Sequence, residues 1–169
     1  MADAAQATEM IRYLGETLGF WIQTAAFSLS AIGAVLVIYH NGSQARRRAT
    51  IDHIIHQKTD KDLLEAIKLV YKLHDNKEPF SRYCDQKDAL EREAILKVLN
   101  NHEFIALGIR KKAFEEKIYK DLQCSNFLKV WSASSGMVAE LRRSENRDTL
   151  FQEFEWLARR WQKHPLKAI

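Results

Sequence analysis

The chain has 169 residues, with 26 Lys and Arg against 22 Asp and Glu, and 46% of it is hydrophobic. The charge is unevenly placed: Thr17 to Ala45 contains no Asp, Glu, Lys or Arg, so the first 45 residues hold one basic and three acidic side chains and the remaining 124 hold 25 and 19. This excludes an ordinary soluble globule and, because no second apolar run is as long, a multi-span transporter.

Residues 1–16 read as a short extracytoplasmic N-terminus, with Asp3, Glu9 and Glu16 against Arg12. A secretory signal peptide has a basic leader and a small-residue cleavage site, so an uncleaved anchor is expected. Residues 17–39, TLGFWIQTAAFSLSAIGAVLVIY, carry no charge. As a helix they rise roughly 35 Å, enough to cross a hydrocarbon core of about 30 Å with modest tilt. Arg46, Arg47 and Arg48 follow closely. Excess Arg and Lys marks the cytoplasmic flank, which predicts a single-pass membrane protein, N-terminus out, with anionic headgroups as partners of the three arginines. Trp21 and Tyr39 stand near the two ends, where amphipathic rings favour the headgroup level.

At 100° per residue, Gly19, Gln23, Ala26, Phe27, Ser30, Gly33 and Ala34 share one side of the span, and Gly15 and Arg12 extend it outward. Gly15 and Gly19 make a GxxxG, while Ala26, Ser30 and Ala34 make a small-xxx-small run. Small residues let helices approach closely in lipid, so the face predicts a homo-oligomer, with Gln23 and Ser30 lining an axis if a pore forms. The plainer reading is that Gly, Ala and Ser are common in spans and that Gln23 reaches the interface.

After the span, residues 40–58 read as a juxtamembrane linker, broken at His40-Asn41-Gly42-Ser43, and a helix from Arg46 to Gln57. Residues 59–169 read as a helical domain, with few Gly or Pro and no sustained alternation. Thr59-Asp60 should cap a helix reaching about His74, and Asp75 to Tyr83 should be a loop. Ile95, Val98, Leu99, Ile105, Ala106 and Ile109 fit one face of a long helix. Phe114 to Leu122 and Phe127 to Arg143 are expected as two helices. A last helix starts at Asn146 or Asp148 and carries Leu150, Phe154, Leu157 and Trp161. The fold class is therefore all-α, one transmembrane helix followed by a helical bundle.

Chemistry is sparsely signalled. Cys84 and Cys124 belong to no CxxC and are expected as reduced thiols, and no phosphate loop or nucleophile elbow occurs, so neither metal nor cofactor is expected. Asp52 and His56 share a helix face, but two ligands do not close a metal site. His102 falls on the apolar stripe of the long helix, where a hydrogen-bonded core histidine is the common outcome. Glu103 and Glu155 interrupt apolar sequence and are expected as buried or half-buried carboxylates paired with Arg. Trp156, off its helix's stripe, is either second-layer core or an anchor between protomers. Arg159 and His164 form R-x4-H, a cation for phosphate and an imidazole for proton transfer, as in HEPN-type ribonucleases. The pattern recurs at Arg48 and His53, and a basic helix end complementing the dipole explains it as well. Nucleic acid as a partner lacks the aromatic residues expected within a basic patch.

ATIDHI at 49–54, KVLNNHEFIALGIRKKAF at 97–114, FEEKIYKDL at 114–122 and FEWLARRWQKHP at 154–165 together resemble a bacterial family of membrane-tethered helical proteins with no assigned chemistry. More distantly, the layout resembles the accessory membrane protein of type VI-B CRISPR RNA-targeting systems, with its single span, HEPN-like domain and degenerate R-x4-H. That resemblance implies a ring-like membrane pore in antiphage defence, without nuclease activity, acting beside an RNA-guided effector complex. Three functions are thus in play: a self-associating membrane protein, a tethered HEPN-like ribonuclease using Arg159 and His164, and a non-catalytic membrane adaptor.

Overall fold

A computed structural model describes residues 12–13 and 16–166. Arg12–Tyr13 (β1) pairs antiparallel with Glu16–Thr17 (β2), Arg12 opposite Thr17 and Tyr13 opposite Glu16. Everything after that short pair is helical or connecting: α1 Leu18–Thr59, α2 Lys61–Asp75, a 3₁₀ turn Phe80–Tyr83, α3 Leu90–Arg110, α4 Glu116–Glu145 and α5 Gln152–Lys163. The all-α expectation holds. The chain forms two compact units, 1–44 and 45–169, and α1 belongs to both.

In the first unit the break expected at His40 to Ser43 does not occur, because α1 runs straight through it. A lone Gly costs a helix only about 1 kcal/mol relative to Ala, and no Pro is present to remove a hydrogen bond. His40 and Gln44 also touch across one turn, Nε2 to Nε2, at 3.4 Å.

In the second unit, the last turns of α1 bury Thr50, Ile54 and Gln57, an i, i+4, i+7 stripe. The Thr50 hydroxyl donates to the Arg46 carbonyl at 2.8 Å and accepts the Glu115 N–H at 2.7 Å, joining α1 to the start of α4. Asp60 caps α2 as expected, its Oδ1 accepting the Leu63 N–H at 3.0 Å. The apolar stripe of α3 is buried along its length. α3 ends where Lys112 adopts a left-handed conformation and the N–H groups of Ala113 and Phe114 return to the Gly108 carbonyl at 2.8 and 3.2 Å. Phe114 folds back so tightly that a Cβ on Gly108 would stand 2.2 Å from its ring.

The two helices expected over 114–143 are one. Cys124-Ser125-Asn126 contains no breaker, and Tyr119, Cys124, Phe127, Val130, Trp131, Ser134, Met137 and Leu141 bury one continuous side of α4. Asn146, expected as a possible start for the final helix, is instead the left-handed cap that ends α4. α5 begins only at Gln152, after a second left-handed residue, Phe151. Its stripe of Phe154, Leu157 and Trp161 is fully enclosed. The centre of the core is aromatic: Phe127 lies 4.6 Å from Phe154 and 4.7 Å from Trp161, and Phe154 lies 5.1 Å from Trp131, between ring centroids.

Candidate functional site

The first part of α1 is a candidate membrane span, apolar, uncharged and with none of its most apolar stretch buried. Leu18, Ile22, Phe27, Leu29, Val35, Leu36, Ile38 and Tyr39 are all exposed, and they point in every direction around the axis. A water-soluble chain rarely leaves so much contiguous apolar surface open. The Ser28 and Ser30 hydroxyls donate to the Thr24 and Ala26 carbonyls, each at 2.8 Å, so they are satisfied within the helix. Gly19, Gln23, Ala26, Phe27, Ser30 and Ala34 are exposed and Gly33 is half-buried. A Cβ on Gly33 would meet nothing within 4 Å, so this protomer makes no use of the space the glycine leaves. The helical face does not extend outward to Arg12. Arg12 sits in β1 and the helix starts at Leu18, while Gly15 lies outside the described residues.

Of the three arginines expected at headgroups, Arg47 and Arg48 are exposed, whereas Arg46 is half-buried with its Nε 4.0 Å from Glu115 Oε2. Arg46 is thus partly committed to the helical domain.

At the C-terminal end, Arg159 and His164 do line one open depression, together with Trp156, Arg160 and Lys163. The cations there are largely engaged. Arg159 pairs with Glu155 and Arg160 with Glu116 at 3.1 Å, and the His164 carbonyl accepts the Lys120 ammonium. Glu116 also accepts the Trp161 indole N–H at 3.0 Å, which anchors α5 to the first turn of α4. The Trp156 ring is faced by the guanidinium groups of Arg110 and Arg160, at 5.4 and 5.9 Å from its centroid.

The carboxylates behave differently from one another. Glu155 is paired with arginine as expected, accepting from Arg142 Nη1 at 2.7 Å. Glu103 is not, and its oxygens instead accept the N–H groups of Glu153 at 3.2 Å and Phe154 at 2.7 Å, capping α5 from α3. Phe151, at the N-cap position, has no side-chain oxygen, so a residue from another helix satisfies the orphan donors. Burial outweighs those two bonds and raises the Glu103 pKa above the ordinary glutamate value. The buried carboxylate the sequence did not announce is Glu153, held by both oxygens at 2.9 Å to Arg110 Nη1. The separation of 43 residues hid its partner; its i, i+4 spacing to Leu157 and an Arg closing the long helix were the available clues.

Asp52 and His56 are exposed, while His53 turns toward Phe104 and Phe114, with ring centroids 5.4 and 5.3 Å away. Among the described residues no three His, Cys, Asp or Glu side chains come together as a metal site. Burial, with His56 adding to it, lowers the His53 pKa. Cys84 and Cys124 are free and buried, and burial pushes both thiols up. His102 departs from its expectation. Its ring is packed between Phe127 and Phe154, at 4.9 and 5.0 Å, and its Nδ1 has no hydrogen-bond partner among the described residues. Burial lowers its pKa to about 3, so the imidazole is neutral at physiological pH.

No curated protein and no solved structure shows a significant match to the chain. A family model, described as a domain of unknown function (DUF4760), matches residues 23–161, a stretch that includes most of the apolar segment and Arg159 and stops before His164. The chain belongs to the DUF4760 family.

Proposed function

We propose that the chain is a single-pass inner-membrane protein that holds its helical domain in the cytoplasm and self-associates through the Gly19, Gln23, Ala26, Phe27, Ser30, Gly33 and Ala34 face of the span. The observation that carries this is the open face itself. It combines the unfilled space at Gly33 with a carboxamide at Gln23, on a helix that exposes apolar side chains all round. In hydrocarbon the backbone approach that small residues permit drives association, and an intramembrane amide gains from a protein partner. The family match beginning at Gln23 supports a retained anchor rather than a removed leader. Exposed Arg47 and Arg48 support the N-out orientation and contact with anionic lipid.

Whether the oligomer conducts is the further step of the proposal, together with a role as a CRISPR-linked accessory in phage defence. Liposomes loaded with a fluorescent dye test conduction. Leakage induced by wild type and reduced by Gln23→Leu supports a pore, and intact vesicles at full incorporation refute it.

The shared depression of Arg159 and His164 favours a second reading, a tethered ribonuclease. The pairing of Arg159 with Glu155 weighs against it, since a phosphate would have to displace a carboxylate from the same helix. Incubation of purified protein with a labelled single-stranded RNA decides this. Cleavage lost in His164→Ala would establish the nuclease, and no cleavage by wild type would remove it.

A further inference from the structure

The second unit contains a cavity of about 190 Å³ among the last turns of α1, α2, α3 and α4. Its lining is part aliphatic, including Ile67, Val70 and Val98, and part neutral hydrogen-bonding side chains, chiefly Gln57, Asn101, Gln123 and Tyr119. His102 lines it too, nine-tenths buried and neutral. Gln57 and Tyr119 are themselves buried. Four carboxamides, Gln57, Asn101, Gln123 and Asn126, thus border one space beside a buried imidazole, a polar edge that packing alone does not explain.

We propose that this cavity is a binding site for a small uncharged heterocycle of the nucleobase class. Size is the first argument. A dry cavity of about 150 Å³ takes up benzene, so this space suits one ring with polar substituents or a compact bicycle. Charge is the second. The cavity is lined by no carboxylate and by one ammonium, Lys58, which lies exposed on α1; nothing there would compensate a cationic ligand. Hydrogen-bond chemistry is the third. Each carboxamide offers a donor and an acceptor side by side, the complement of the alternating donors and acceptors on a base edge, and the aliphatic side chains take the ring face. A purely apolar ring would use none of the remaining amide donors and acceptors, and a sugar would leave the aliphatic side chains without a matching surface.

Isothermal titration of the full chain in detergent with uracil, cytosine and adenine, and with toluene as an apolar ring of similar size, tests the assignment. At least one base should bind ten-fold or more tightly than toluene, and Asn101→Leu should weaken that base at least ten-fold. If Asn101→Leu lowers the melting temperature, the nearly isosteric Gln123→Glu at a half-buried position should give the same loss. Absence of base binding at millimolar concentration, equal binding of toluene, or unchanged affinity in folded variants would overturn the proposal.

Discussion

Glu103 on α3 accepts the backbone N–H of Phe154 on α5 at 2.7 Å, so the final helix is started by a side chain 51 residues earlier in the chain. The contact makes the docking of α5 and the formation of its first turn one event. Glu103→Ala should therefore destabilise the domain by about 1–3 kcal/mol, the cost of unsatisfied donors at a buried helix start. Glu103→Gln keeps an acceptor and removes a charge whose burial is unfavourable, so it should lose clearly less. Urea denaturation of both variants checks the order. Because the Glu103 pKa is raised in the fold, its ionisation cost is absent below the unfolded glutamate pKa and appears as pH rises through the folded value.

Arg110 and Glu153 pose the related question of a buried carboxylate. Arg110 is half exposed and Glu153 is not, so Arg110→Ala strands the carboxylate and should cost about 1–3 kcal/mol. The double replacement Arg110→Met with Glu153→Met should recover most of the loss, since a buried pair is dearer to break than to replace by apolar side chains. A double mutant no more stable than Arg110→Ala would contradict this view.

His102 gives a pH signature. Its pKa is about 3 in the fold against 6.5 for the free side chain. Between these values the unfolded chain takes up a proton that the folded chain refuses. Stability from this group is fully present above about pH 6.5 and falls with acidification, by up to about 1.4 kcal/mol per pH unit. Unfolding free energies at pH 7 and pH 5 should diverge more for wild type than for His102→Leu. Equal pH slopes in the two proteins would show that His102 is not held neutral.

Gly108 is expected to be intolerant for a steric reason. Its Cβ position lies 2.2 Å from the Phe114 ring, which belongs to a cluster with His53 and Phe104. Gly108→Ala should lower stability by about 1–3 kcal/mol, as overpacking does, despite the better helix propensity of Ala. Thermal melts of the two proteins are sufficient to check it.

Periodic features were legible in the sequence because burial repeats with the helix. The α3 stripe, Leu157 and Trp161 on α5, and the Asp60 cap all follow from spacing or local chemistry. What escaped detection depends on partners distant in the chain. Asn146, which local chemistry offers as a helix start, takes a left-handed conformation that ends α4, and Glu103 reads as an arginine partner until its amide donors are placed beside it. The break expected at Gly42 does not form, because a lone Gly costs a helix favoured on both sides only about 1 kcal/mol. At the candidate interface the small-residue face follows from the spacing of residues 19–34, whereas Arg12 lies before the helix start at Leu18.

Self-association through the span is tested most directly by mass photometry of the detergent-extracted full chain beside Gly33→Leu. The Leu side chain enters space open within the protomer, so fold and melting temperature should be unchanged. Wild type is expected as a defined oligomer and Gly33→Leu as predominantly monomer. Wild type that stays monomeric at every concentration, or a Gly33→Leu oligomer identical to wild type, would contradict the proposed interface.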